Sequence, residues 1–152
     1  MYFPPVTPPP VVNEDWGVWA PADHQRVISK LTVGLGILFY RENAIHLEPL
    51  PEVMLDDSKA SPVPDVSLVN NETDETEIII EISKTKGVKG DLQKVIQLID
   101  DDLYGIREGF VYDYKALRWF RYRRGDGGLT ENSSFSEILQ IDLNGFLIGT
   151  RI

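Results

Sequence analysis

The chain contains no cysteine, which excludes disulfides and thiolate metal sites and leaves the redox compartment undetermined. It has only two histidines, His24 and His46, far from the spacing of a histidine-held zinc site. Any metal here is therefore expected on carboxylates, which favour magnesium, manganese or calcium. No apolar run approaches the ~20 residues that a membrane helix needs. The opening Met1-Tyr2-Phe3-Pro4-Pro5 has neither the basic nor the apolar region of a signal peptide. The expected setting is the cytoplasm, without a membrane partner. Positive charge is also scarce. Fifteen Lys and Arg stand against 24 Asp and Glu, for a net charge of −9, which argues against a general nucleic-acid binder.

What the chain does have is 152 residues with a 42% hydrophobic and 26% charged composition, ordinary for one soluble globular domain with a real core. Its scarce cations are concentrated. Eight of the fifteen fall in two stretches, Lys84 to Lys94 and Arg118 to Arg124, while acids cluster at Glu72 to Glu77 and Asp100 to Asp102. Such local positive faces either hold a phosphate backbone or are simply solvated. Residues 1–15 hold half of the ten prolines and read as an extended arm, either disordered or packed across a neighbouring subunit. Residues 16–152 form the domain.

Apolar residues at three- and four-residue spacing predict a helix over Ala22–Tyr40, with Pro21 and Asp23 as start signals. Gly34 and Gly36 within it suggest close packing against a sheet. His24, in the first turn, is either a surface or capping residue or a group at the rim of a phosphate site. Short strands are expected at Ala44–Glu48, Glu52–Asp56 and Asp65–Val69. The Ile78-Ile79-Ile80 run within Glu77–Ser83 predicts a central strand covered on both faces. From Gly90 the period turns helical through Leu92, Val95, Ile96 and Ile99. Gly109–Lys115 and Arg118–Arg124 then read as an aromatic-rich hairpin, and Gly125 to Gly128 closes its second strand. Ser134–Leu139 and Ile141–Gly145 are expected as a short amphipathic segment and a terminal strand or turn. The fold class is α/β, α+β-like, with a mixed central sheet flanked by helices.

Side chains alternate along a strand, so Glu81 and Ser83 share one face while Ile80 and Ile82 take the other. Glu81 is thus an acid in an otherwise apolar strand, and a buried carboxylate needs a partner or a metal. Asp65, opening the neighbouring strand, completes a pair. Two carboxylates with the main-chain carbonyl of Ile82 make a magnesium or manganese site, and a nearby lysine stabilises charge that develops on a phosphate. The bland alternatives are a turn residue at Asp65, a solvent-facing edge acid at Glu81, and solvated lysines after them.

The residues Pro64-Asp65-Val66, Ile79-Ile80-Glu81-Ile82-Ser83, Asp91-Leu92 with Lys94, and Gly109-Phe110-Val111-Tyr112-Asp113 resemble the PD-(D/E)XK nuclease superfamily. Within it they look most like the Uma-type restriction endonuclease family. The resemblance runs from about Ala22 to Leu147 and implies a restriction-endonuclease-like core. It implies a magnesium-dependent hydrolase that cuts DNA, with Asp65 and Glu81 as metal ligands. A Glu-x-Lys pattern would place lysine at 83, where this chain has serine. Members of the family often carry that lysine on the next helix, where Lys94 is the nearest candidate and Lys84 and Lys86 rank behind it. Arg118, Arg121 and Arg123, with His24, are the candidate nucleic-acid contacts, and a homodimer is implied because double-strand cleavage needs two sites. Two rival readings remain: a non-catalytic nuclease-fold module that binds a partner, and a metal site that serves only stability.

Overall fold

The computed structural model describes residues 21–56, 61–125 and 128–148. The proline-rich arm at residues 1–15 lies outside them. Helix α1 (Ala22–Gly36) buries Ile28, Leu31 and Leu35, and the chain continues it through one wider π turn, Ile37–Arg41. Strands β1 (Glu48–Pro51), β2 (Val66–Asn70) and β3 (Glu75–Ser83) follow. A tight turn at Thr85–Gly87 leads into helix α2 (Val88–Asp101). Strands β4 (Glu108–Asp113), β5 (Arg118–Arg123) and β6 (Gly128–Glu131) complete one six-stranded sheet in the order β1-β2-β3-β4-β5-β6. A two-residue ladder between β7 (Phe135–Ser136) and β8 (Ile141–Asp142) and a 3-10 turn at Leu143–Phe146 follow.

The sheet is mixed because α2 is a crossover. It returns the chain so that β4 runs parallel to β3, while the remaining neighbours in the sheet are antiparallel. β3 is the central strand, buried from Thr76 to Ser83. Its alternation sorts the core into two layers. Ile78, Ile80 and Ile82 pack with Phe110, Trp119 and Leu31 on the α1 side. Ile79 packs with Val111, Phe120, Val95 and Ile99 on the α2 side. Each such side chain removed from water contributes about 1.5–3 kcal/mol. The α2 layer lies close because β4 has Gly109 beneath it. A methyl group there would collide with Val95 and crowd Ile99.

Several expectations shift. The first edge strand is Glu48–Pro51 rather than Ala44–Glu48 or Glu52–Asp56. Its prolines are tolerated because β1 has a partner on one side only. The second strand of the hairpin ends at Arg123, as expected, and a sixth strand, β6, which the sequence does not announce, pairs with it. Gly34 packs against the ring of Phe146 from the last turn, not against the sheet.

Candidate active site

Asp65 sits at the bend that opens β2, and the antiparallel register Val66↔Ile80 places it beside Glu81. The two residues are laced together by the backbone. The Asp65 amide donates to Glu81 Oε1 at 2.9 Å, and the Ile82 amide donates to Asp65 Oδ2 at 2.7 Å. His24, in the first turn of α1, brings its Nε2 to 3.3 Å from the same Asp65 Oδ2. From the other layer, Lys94 of α2 reaches Glu81 Oε2 at 2.6 Å. These contacts engage both oxygens of Glu81 and one of Asp65. Asp65 Oδ1 has no hydrogen-bond partner among the described residues.

The electrostatics follow from this packing. Glu81 is 4% exposed, and burial together with the adjacent Asp65 charge pushes its carboxyl up to about 7, against the opposing pull of Lys94. Burial works against the Lys94 ammonium, but the neighbouring Glu81, Asp91 and Asp65 hold it above its usual range. Its side chain is 42% exposed, so water screens part of its effect on Glu81. The hydrogen bond to Asp65 raises His24, with burial opposing and the charges of Asp65, Glu52 and Glu81 assisting.

Ser83, on the same face as Glu81, donates its hydroxyl to Asp91 Oδ2 in the first turn of α2. The position where a Glu-x-Lys lysine would stand thus anchors the helix that carries Lys94. Of the two lower-ranked lysines, Lys84 is half-buried. Burial and the charges of Lys86 and Lys115 lower its pKa. Asp113, at the end of β4, accepts from the Lys115 and Ala116 amides at 3.0 Å each and from Thr85 Oγ1 at 3.0 Å, so it caps the β4–β5 turn.

The structure separates the three arginines of β5. Arg118 lies exposed on the α2 side, its guanidinium 4.9 Å from the Phe120 ring centroid. Arg121, on the other face, bonds Ser133 Oγ at 2.9 Å and Thr130 Oγ1 at 3.0 Å. Arg123 is buried, with Nε on Glu108 Oε2 at 2.6 Å and Nη2 on the Phe135 carbonyl at 2.7 Å. Glu108, fully buried, also accepts from Ser136 Oγ at 2.6 Å and the Glu137 amide at 2.9 Å. This clasp, which fastens the β7–β8 segment to the sheet, has no sequence signal. Its members are 15 and 28 residues apart.

The donor set suits a hard cation. A buried anion destabilised by a like-charged neighbour gains from a divalent ion, and carboxylate and carbonyl oxygens are what magnesium and manganese prefer. Among the described residues no group of three or more His, Asp or Glu side chains is placed to hold a metal. The set fits only if main-chain oxygen and water complete it, as magnesium commonly allows.

No family model and no curated protein sequence matches the chain. Among solved structures, the chain is similar to a DUF820 protein from Anabaena variabilis that is described as a candidate nuclease. The TM-score is 0.62 at 13% identity, over 83% of this chain and 80% of that one. The type IIG restriction endonuclease BpuSI also matches, at 13% identity and a TM-score of 0.44, over 69% of this chain and 11% of that one. No helix of the described residues is long and apolar enough to cross a membrane. The first likeness is one of fold: a mixed six-stranded sheet flanked by two helices.

Proposed function

We propose that the protein is a divalent-metal-dependent nuclease that hydrolyses phosphodiester bonds of DNA. The observation that carries the reading is the pairing of half-buried Asp65 with buried Glu81, with Lys94 on Glu81. Asp65 and Glu81, with the Ile82 carbonyl, would hold Mg2+ or Mn2+. Bound there, the ion supplies Lewis acidity that lowers the pKa of a bound water and neutralises charge on phosphorus. His24 and the Ile82 amide fix Asp65 through Oδ2 and leave Oδ1 for the cation. Lys94 keeps its proton, orients the attacking water and balances the charge that develops on the phosphate. The resemblance to the Uma-type family belongs to this proposal, as does a cytoplasmic homodimer that presents one site to each strand.

A second reading, a non-catalytic nuclease-fold module, is favoured by one feature. Lys94 already closes the second oxygen of Glu81. Two measurements separate them. On the nuclease reading, Mn2+ raises the melting temperature of the wild type but not of Asp65→Ala, and plasmid nicking disappears in Asp65→Ala and Glu81→Ala. Nicking that persists in both variants refutes the assignment, and metal binding without cleavage of any nucleic acid supports the module.

A further inference from the structure

On the far side of α2 from Lys94, a groove of about 420 Å³ runs between the helix and the β5–β6 edge. Its floor is apolar, made by Val88, Leu92 and Ile96 of α2 with Phe120 and Leu129 of the sheet. Lys89 and Arg118 stand on its rim, and the Arg118 guanidinium lies 4.9 Å from the centroid of the Phe120 ring. Glu131 is 3.7 Å from Arg118. At the end where the groove meets Thr85 and Asp113, the sheet also delivers Ser83, which pairs with Asp113 across β3 and β4. The carboxylate of Asp113 is turned inward onto the Lys115 and Ala116 amides. Lys84 follows Ser83 directly, and burial with the charges of Lys86 and Lys115 lowers its pKa. With Lys89 and Arg118 on the rim, five of the fifteen cations of a chain with net charge −9 thus belong to the groove or to the segments at its Thr85–Asp113 end.

We propose that this groove seats an unpaired base of a single-stranded DNA segment, with its flanking phosphates on Lys89 and Arg118. The inference rests on the nuclease reading for its purpose and names the substrate class that reading leaves open. Three features select this occupant. The volume is that of a small-ligand pocket, which admits one base but not a stacked duplex. An apolar floor with a guanidinium laid over an aromatic ring is a stacking surface, and every base offers a π face to it. The rim is cationic in an otherwise acidic protein, and is complementary to the phosphates that flank a base.

The test measures fluorescence anisotropy with a labelled oligothymidylate and a blunt duplex of equal length, in EDTA so that nothing is cut. Wild type should bind the single strand about tenfold more tightly than the duplex. The double variant Lys89→Glu/Arg118→Glu should lose at least about tenfold, and its log Kd against log salt should flatten by about 1.4, two contacts at about 0.7 each. Leu129→Glu, at an exposed position on the floor, should weaken binding while circular dichroism stays native. Equal affinity for both DNAs, or unchanged binding by the double variant, overturns the proposal and leaves the groove to a protein partner. Single-strand binding by a protein that never cuts DNA refutes the nuclease reading but not the groove. Cutting by a protein whose groove variants bind normally does the reverse.

Discussion

Glu81→Gln should make the metal-free protein more stable at neutral pH while removing its response to metal. Glutamine imitates the protonated acid: it keeps the length of the side chain and an oxygen for the Asp65 amide that now donates to Glu81 Oε1. What it removes is the cost of holding a charge there. The carboxyl of Glu81 rises from 4.5 to about 7, mainly through burial and then through Asp65, with Lys94 opposing. At about 1.4 kcal/mol per pH unit this is a penalty of about 3 kcal/mol. The sign follows from proton uptake. Below the unfolded value both states are protonated and the penalty is absent. It grows as pH rises between the two values, where the folded state holds the extra proton, and is complete above about 7. His24, whose pKa is also raised, loses its own stabilising contribution as pH rises, but it does so in both proteins. Urea denaturation in EDTA from about pH 5 to about pH 8 should therefore show two curves that nearly meet in acid and diverge in base. The variant should melt up to about 10 °C higher at the basic end. Added Mn2+ should stabilise the wild type alone. A variant less stable than wild type at about pH 8, or a difference that does not change with pH, refutes the picture of Glu81 as a destabilised anion.

Three further outcomes are expected. Lys94→Ala removes the cation on Glu81 that opposes its raised pKa and should lower plasmid nicking about 100-fold. Adding Ser83→Lys, on the same face of β3, should restore part of that activity, and no recovery argues against Lys94 as the displaced lysine. Glu108→Ala strands the buried Arg123 guanidinium and should cost about 3–5 kcal/mol in urea denaturation. Gly109→Ala drives a methyl into Val95 and Ile99, which should cost about 1–3 kcal/mol and shift α2, so nicking should fall along with stability.

The readable parts of the sequence were those whose cause is local. Ile78, Ile79 and Ile80 announce a strand buried on both faces, and alternation alone puts Glu81 and Ser83 together on one of them. Pro64 before Asp65 marks the entry to β2. The apolar period of Leu92, Val95 and Ile99 marks α2, and Lys94 falls on it where it meets Glu81. The obscure parts depend on tertiary partners. His24 lies 41 positions from Asp65, and nothing near it in the sequence hints at a carboxylate; in the structure it is a clamp on Asp65 Oδ2. Arg123 looks like its exposed neighbour Arg118 until the fold brings Glu108 onto it. The prolines of β1 argue against a strand there, and only its place at the sheet's margin makes them acceptable.

Those prolines bear on what the molecule avoids. Pro49 and Pro51 pair with Leu68 and Val66 and are two residues apart, so their imide nitrogens point the same way in the ladder. Because an imide cannot donate, the side that bonds β2 falls to Glu48 and Leu50, and the outward side offers carbonyls without matching N–H groups. A strand from another chain would find half of its ladder missing there. That margin is thus a poor template for fibril growth, even though two strands inward the sheet carries three isoleucines in a row, an aggregation-prone segment.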